Sequence, residues 1–267
     1  MTLAPDGLAQ LVSAALPDEG LTAGDLDTCC YGPDTEVLGD AGAAAVLTVK
    51  GSGGLAAAWL VLLAVHPDHQ RRGRGRALVD ESAARARAAG AVDLHLGNAS
   101  PRYVWPGVDF RFTAALALFE TMGFEPYGAE CNMAVATSFR ADAPAGVAIE
   151  REGGDDAAVL AARFSPNWGD EVARGTAAGT CYAARAGGET IGFACHSVNR
   201  AGWIGPMATD PERQGSGVGR ALLGAVCASL AAAGHAEADI AWVGPIGFYA
   251  KAGAVVSRVF RNAKLTL

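Results

Sequence analysis

Two segments of the chain repeat one pattern of proline, glutamine, glycine and arginine. Residues 66–79 read HPDHQRRGRGRALV, and residues 210–223 read DPERQGSGVGRALL, 144 residues later. Gly90 and Gly234, which follow the two segments, are separated by the same 144 residues. Because this offset is close to half of the 267-residue chain, the sequence predicts two similar modules, each able to bury its own core.

The pattern of apolar residues predicts a similar order of elements in both halves. The first half has predicted helices at 6–16, 19–30, a third ending at 89, and 113–122, and predicted strands at 36–38, 43–50, 57–65, 92–96 and 132–136. The second half has predicted strands at 147–151, 180–186, 190–197, 203–208, 238–243 and 255–261, and predicted helices at 155–164, up to 233, and 247–252.

Small, polar and proline residues mark the turns and the linker. The sequence GSGG at 51–54 predicts a hairpin turn, and SFRADAPAG at 138–146 predicts the linker. We therefore expect domains at 1–139 and 147–267, joined by residues 140–146. The strand at 147–151 has no predicted counterpart in the first half.

Each repeat places a glycine-rich turn between a strand and a helix. Unpaired backbone N–H groups and the helix dipole at such a turn bind phosphate, and glycine lets the phosphate approach the backbone closely. The first turn also carries four arginines, at 71, 72, 74 and 76. That much positive charge suits a pyrophosphate with a further 3′-phosphate better than a single phosphate.

Other phosphate-binding motifs fit poorly, because neither turn has a G-K-[ST] ending or a full G-x-G-x-x-G. Both halves instead resemble the GCN5-related N-acetyltransferase (GNAT) family, whose acyl-CoA motif is [QR]-x-x-G-x-[GA]. Residues 70–75 and 214–219 match this motif. The family's late L-Y-E-K-x-G-F segment is similar to LFETMGF at 118–124 and FYAKAGA at 248–254.

This resemblance implies an α/β protein of two tandem modules, each with a mixed, mostly antiparallel central sheet flanked by helices. It implies an enzyme that transfers the acetyl group of acetyl-CoA to a primary amine without a metal. The residues that it implies for CoA binding are Ala64, Val65, Arg71, Arg72, Gly73, Arg74, Gly75 and Arg76 in the first half, and Met207, Ala208, Thr209, Gln214, Gly215, Ser216, Gly217, Val218, Gly219 and Arg220 in the second.

The resemblance also implies how the reaction is assisted. A backbone N–H of the strand before the turn polarises the thioester carbonyl. The hydroxyl that protonates the leaving thiolate matches Tyr249, whereas the first half has Phe119 there. A hydrogen bond to the thiolate is worth about 1.5–3 kcal/mol, so we predict that the second half performs the chemistry. The alternative is the first half, whose turn carries more positive charge for CoA and lies beside the acidic segment.

A general base is not singled out by spacing. The titratable candidates are Asp93, His95 and Asp109 in the first half, and Asp170, Glu171, His196 and Asp239 in the second. A chain of water molecules is an alternative to all of them.

The charge distribution bears on the partners. A net charge of −7 argues against a nucleic-acid partner. No Lys, Arg or His precedes Lys50, and acidic residues cluster there, at Asp18, Glu19, Asp25, Asp27, Asp34, Glu36 and Asp40. Two interpretations stay open, namely a solvated acidic surface and a field that attracts a cationic acceptor.

The location is predicted from what the sequence lacks. The longest apolar run, 55–65, is too short to cross a membrane, and the first twenty residues have no Lys or Arg for a secretory signal. We expect a cytoplasmic protein, monomeric or homodimeric, with reduced cysteines and no zinc site.

Two further segments have features of their own. The loop PRYVWPGVDF at 101–110 has no partner in the second half, and either covers the core or forms a wall of the acceptor site. The helix after the second turn has no charged residue between Arg220 and Glu237, which is typical of a buried helix.

The function is predicted to be acetyl transfer to a small, cationic amine. Two alternatives remain. One is a non-catalytic acyl-CoA sensor, and the other is an acetyltransferase that acts on a protein amine.

Overall fold

The computed structural model describes residues 3–51 and 56–267. The helices are α1 Pro5–Ala15, α2 Ala23–Cys30, α3 Arg74–Ala88, α4 Thr113–Thr121, α5 Asp156–Ala162, α6 Pro166–Ala177, α7 Val218–Ala232 and α8 Ile246–Ala250. The strands are β1 Thr35–Asp40, β2 Ala43–Lys50, β3 Ala57–Val65, β4 Asp93–Leu96, β5 Val108–Asp109, β6 Glu125–Ala136, β7 Ala148–Arg151, β8 Cys181–Ala186, β9 Glu189–His196, β10 Trp203–Thr209, β11 Glu237–Ile240 and β12 Val255–Thr266. Most of the predicted GSGG turn lies outside the described residues.

The first compact unit comprises residues 1–130 and 259–267. In its sheet, β1, β2 and β3 are antiparallel neighbours, and β4 runs parallel to β3. The end of β12 closes the sheet by pairing antiparallel with β4. This is the mixed, mostly antiparallel sheet that the resemblance implies.

Both faces of this sheet are covered by helices. On one face, side chains from α3 and α4, such as Val79 and Phe119, pack with Leu60 of β3. On the other, α1 and α2 contribute residues such as Leu8 and Leu26. The alternation of side chains along β2 and β3 supplies apolar residues to both layers.

The second compact unit comprises residues 131–258 and repeats this plan. Strands β8, β9 and β10 are antiparallel neighbours, β11 runs parallel to β10, and the end of β6 pairs antiparallel with β11. The additional strand β7, which the sequence predicts for this half, pairs with β8. Helices α5 and α6 pack on one face and α7 on the other.

The last strand of each sheet comes from the other half of the sequence. Residues Lys264–Thr266 pair with β4, although the sequence-based division places them in the second domain. Residues 133–136 pair with β11, although that division places them in the first. The pattern of apolar residues cannot reveal this exchange, because strands at equivalent positions have the same periodicity.

Glycine closes the helix after each turn, as predicted. Gly90 and Gly234 follow α3 and α7 with φ angles of 90° and 91°. This left-handed conformation is the usual end of a helix, and glycine adopts it without steric cost.

Helix α7 is buried within the second unit, which explains its apolar sequence. Leu222, Val226 and Leu230 are fully buried in the core between α7 and the sheet. The backbone of Ala141, in the predicted linker, lies against Gly224 on this helix. In the described part of the chain, no helix is long and apolar enough to span a membrane.

The contact at Gly224 yields a stability prediction. A Cβ atom on Gly224 would lie 2.9 Å from the backbone nitrogen of Ala141, closer than side chains tolerate. We expect Gly224→Ala to lower the free energy of unfolding by about 1–3 kcal/mol, although alanine favours helix by about 1 kcal/mol. Thermal or urea unfolding measures the change.

The matched control is Gly247→Ala in α8, where a Cβ would meet no atom within 4 Å. This variant is expected to be neutral or slightly stabilising. Equal unfolding midpoints for the two variants would show that residues 140–141 do not pack tightly on α7.

Candidate active site

The site of the first unit begins where two parallel strands separate. Pairing between β3 and β4 ends at Leu60 and Leu96, while β3 continues to Val65. A bulge at Val61 interrupts the pairing of β3 with β2 just beyond this point. A bulge bends its strand, so β3 turns away from β4 and leaves a gap between them.

A cavity of about 980 Å³ occupies this region of the first unit. Residues 60–65 of β3 form one wall, and the glycine-rich turn and α4 form others. The remaining lining comes from Ala15, Leu16, Leu96, Gly97, Trp105, Gly107, Val108, Arg111 and Phe112. A volume near the top of the range for ligand sites is large enough for an elongated cofactor.

The glycine-rich turn has the same backbone conformation in both units. Arg71 and Gly73 have φ angles of 59° and 79°, and the equivalent Gly215 and Gly217 have 79° and 93°. An arginine in this left-handed region costs about 1–2 kcal/mol, which glycine avoids. The first turn therefore retains a charged side chain at a backbone position better suited to glycine.

The glutamine of each motif stabilises its turn. Gln70 Nε2 donates to the carbonyl of Val65 at 3.1 Å. Gln214 Nε2 makes the equivalent contact with Thr209 at 3.5 Å. The glutamine thus links the turn to the end of the preceding strand.

The four arginines of the first turn are not equivalent. Arg74 Nη2 donates to both carboxylate oxygens of Asp40, each at 2.7 Å, and this bond lowers the pKa of Asp40. Among the described residues, Arg71, Arg72 and Arg76 have no carboxylate within ion-pair distance, and all three are exposed. Arg74 therefore already has a carboxylate partner, whereas the other three have none in the described part of the chain.

A charge cluster with two buried carboxylates and one exposed arginine lies at the cavity wall. It consists of Glu19, Trp105, Asp109 and Arg111, hereafter the Arg111 cluster. Trp105 Nε1 and Arg111 Nη2 each donate to Glu19 at 2.9 Å. Arg111 also donates to Asp109, through Nε at 3.1 Å and through its backbone N–H at 2.7 Å. The hydrogen bond to Asp109 raises the pKa of Arg111, which keeps the guanidinium charged.

The second unit separates its strands at the equivalent place. Pairing of β10 with β11 ends at Ile204 and Ile240, and β10 has a bulge before Met207. Pro206 occupies the position of Leu62 in the first unit. Because proline has no N–H, this position cannot donate a hydrogen bond to a thioester carbonyl, whereas Leu62 retains that donor.

Tyr249 is buried in the core of the second unit, with its ring 4.9 Å from that of Phe248. Burial raises the pKa of Tyr249, so the hydroxyl stays protonated at neutral pH. The equivalent Phe119 lines the cavity of the first unit and has no proton to donate. Only the second unit therefore has a hydroxyl at this position, as the sequence shows.

Most candidate bases are engaged in other contacts. Asp93 pairs with Lys264 at 2.8 Å, Asp109 belongs to the Arg111 cluster, and His95 lies 3.3 Å from the Tyr127 hydroxyl. In the second unit, Asp170 pairs with Arg174 and Asp239 accepts from Ser257.

Two candidate bases of the second unit are buried, Glu171 and His196. Burial, with smaller contributions from Arg151 and His235, lowers the pKa of His196 to about 4. His196 contacts the hydroxyls of Ser197 and Ser229. The contacts of the candidates therefore single out none of them as the base.

The loop at 101–110 both covers core and lines the cavity. Tyr103 and Trp105 are buried, and the indole of Trp105 is part of the cavity wall. Sequence reasoning missed Arg111 and Phe112, which follow this loop, and grouped Glu19 with the surface acids. Glu19 and Arg111 are 92 residues apart, so no local pattern reveals their contact.

Comparison with known proteins decides the family. The model of the acetyltransferase (GNAT) domain matches residues 32–126 and 177–253. The chain belongs to the GNAT family. It is an acyl-CoA-dependent N-acetyltransferase with two tandem modules.

The similar proteins include one curated acetyltransferase and solved structures with the same fold. The chain is 32% identical over 260 residues to a mycothiol acetyltransferase from Clavibacter sepedonicus, covering 89% of this chain and 78% of the relative. A tandem GNAT protein of the clavulanic acid biosynthesis pathway has a TM-score of 0.74 at 16% identity, covering 98% of this chain and 94% of that one.

A fungal multi-domain GH3 β-N-acetylglucosaminidase contains a glucosamine N-acetyltransferase region with the same fold. It matches with a TM-score of 0.76 at 18% identity over 98% of this chain. The chain spans only 37% of that fungal protein.

The strained Arg71 provides a test of the first turn. We expect Arg71→Gly to weaken acetyl-CoA binding about 10-fold, because a charge-assisted contact is lost. Its free energy of unfolding should stay within about 1 kcal/mol of the parent value, because relief of φ strain offsets the added chain entropy. Calorimetry and thermal unfolding measure the two quantities.

The matched variant is Arg71→Lys, which keeps the charge and the backbone strain. It should retain most of the affinity. If Arg71→Gly binds acetyl-CoA as tightly as the parent, Arg71 does not contact the cofactor.

Proposed function

We propose that the protein transfers the acetyl group of acetyl-CoA to the primary amine of a small acceptor by direct attack. The amine lone pair forms the new C–N bond, and the C–S bond of the thioester breaks. The amine then loses one proton, and the CoA thiolate gains one. No metal takes part in this proposal.

The observation that carries the proposal is the cavity at the first glycine-rich turn. An extended thioester cofactor placed there has its pyrophosphate at the turn and α3, where Arg71, Arg74 and Arg76 line the cavity. Arg72 is exposed in the same turn and does not line the cavity. Its pantetheine then follows the gap beside Ala64 and Val65. In this proposal, backbone N–H groups near the bulge at Val61 polarise the thioester carbonyl.

We propose a second CoA site at the equivalent turn of the second unit. It comprises residues 207–209 and 214–220, with Tyr249 as the hydrogen-bond donor to the thiolate. The shared turn conformation supports this site. Burial raises the pKa of Tyr249, so its hydroxyl assists by a hydrogen bond to the thiolate rather than by full proton transfer. Pro206 argues against this second site, because proline removes one backbone N–H donor that the first unit has at the equivalent position.

The acceptor is proposed to be a small molecule, because the relatives named above are a mycothiol acetyltransferase and a glucosamine N-acetyltransferase region. The structure gives less support to a cationic acceptor than the sequence does, because some of the clustered acids are paired or buried. Of the seven clustered acids, Glu19, Glu36 and Asp40 pair with arginines. Asp25 is buried as part of a helix cap, and Asp18, Asp27 and Asp34 are the exposed acids that remain.

The proposed location is the cytoplasm, where the six free cysteines stay reduced. A monomer or a homodimer is compatible with two sites in one chain.

The hydroxyl of Tyr249 is tested by Tyr249→Phe. We expect turnover at the second site to fall about 10- to 100-fold with little change in acetyl-CoA affinity there, because a hydrogen bond to the departing thiolate is lost. Turnover at the first site is expected to stay unchanged, because Phe119 occupies the equivalent position in that unit. Thiol release from acetyl-CoA with a panel of small amines gives the rate, and calorimetry gives the affinity.

Matched variants at the two turns locate the chemistry. Gly75→Glu and Gly219→Glu each place a carboxylate at one proposed pyrophosphate site. If Tyr249→Phe keeps full activity while a folded Gly75→Glu variant is inactive, the first unit performs the chemistry. Binding of acetyl-CoA without thiol release for any amine would favour a sensor.

A further inference from the structure

One cationic group lies at the end of the first unit's cavity that is lined by Leu16, Trp105 and Phe112. The Arg111 side chain lines this end and is 55% exposed. Its two carboxylate partners, Glu19 and Asp109, have side chains that are only 2% exposed. The cavity is therefore in contact with the guanidinium rather than with the carboxylates.

The buried carboxylates fix the orientation of this guanidinium. Glu19 accepts from Nη2, and Asp109 accepts from Nε. The ring of Phe112 lies 6.0 Å from the guanidinium carbon. Nη1 is the nitrogen without a partner in the part of the chain that the structure describes. A preorganised arginine binds a carboxylate with less loss of side-chain entropy than a free one.

We propose that this cavity binds, beside the acetyl-CoA thioester, a small amine that carries a carboxylate, and that Arg111 recognises this carboxylate. The proposal rests on the acetyl-CoA site proposed above for the same cavity. It adds a second charge to the acceptor, which becomes a zwitterion.

The contacts favour an anion over a cation at this position. A ligand ammonium would meet the exposed guanidinium and would have to displace it from Glu19 or Asp109. Each of these carboxylates is already hydrogen-bonded, Glu19 also by Trp105. Breaking a buried ion pair leaves an uncompensated charge, which is strongly unfavourable.

The phosphates of CoA are the other anions in this cavity, and they have separate partners. Arg71 and Arg72 belong to the glycine-rich turn and Arg76 to the start of α3. Arg111 precedes α4 and contacts the segment after α1. Leu16, Trp105 and Phe112 add apolar surface around Arg111. The fitting ligand therefore has an apolar body next to its carboxylate, as an apolar amino acid does.

The test is calorimetric titration of product-like probes into the protein saturated with CoA. The probes are N-acetylphenylalanine and N-acetylphenylalaninamide, with the matching glycine pair, so that each pair differs only in the carboxylate. We expect the acid to bind at least about 10-fold more tightly than the amide, because a charge-assisted hydrogen bond is lost in the amide.

Variants assign this preference to Arg111. Arg111→Gln should reduce the preference to less than about 3-fold, and Arg111→Lys should keep part of it. Arg87→Gln, on the exposed side of α3, should keep all of it. If Arg111→Gln does not fold, the double variant Glu19→Gln/Arg111→Gln is used in its place. The added Glu19→Gln substitution restores the net charge that the Arg111 cluster has in the parent protein.

Equal affinity for acid and amide in the parent protein would overturn the proposal. So would a preference that Arg111→Gln leaves unchanged. A separate CoA titration detects failure of the acetyl-CoA site. In that case the probes are titrated into the protein without CoA. The same preference for the acid over the amide is expected there, because Arg111 keeps its partners Glu19 and Asp109.

Discussion

The separation of β3 from β4 is the constraint on which the site of the first unit depends. Parallel pairing stops at Leu60 and Leu96, and the bulge at Val61 bends β3 away. Without this gap the sheet would be continuous at the end that leads into the glycine-rich turn. The gap places backbone N–H groups, the turn and the start of α3 around one cavity, which is what an extended thioester cofactor requires.

The acidic residues among the first 49 positions have more than one structural role. Asp40 and Glu36 pair with arginines of α3, so part of this charge balances the basic helix that follows the turn. Glu19 is buried and orients Arg111. Local charge counts therefore overstate the field that a cationic ligand would experience, because opposite charges distant in sequence neutralise it.

Sequence reasoning predicted the order of most elements and the glycine-rich turns. These features have local signals, namely alternation in β2 and β3, and glycine after α3 and α7. It did not predict that Lys264–Thr266 pair with β4, because pairing partners are not encoded by periodicity. The Arg111 cluster was missed for a related reason, since its members come from segments about 90 residues apart and meet only through folding.

Binding of acetyl-CoA in the first unit's cavity is best tested by a crystal structure of the protein with CoA. We expect density for the pyrophosphate at residues 70–76 and for the pantetheine beside Ala64 and Val65. Density for CoA at residues 214–220 alone, with the first cavity empty at saturating CoA, would show that the first cavity is not the acetyl-CoA site.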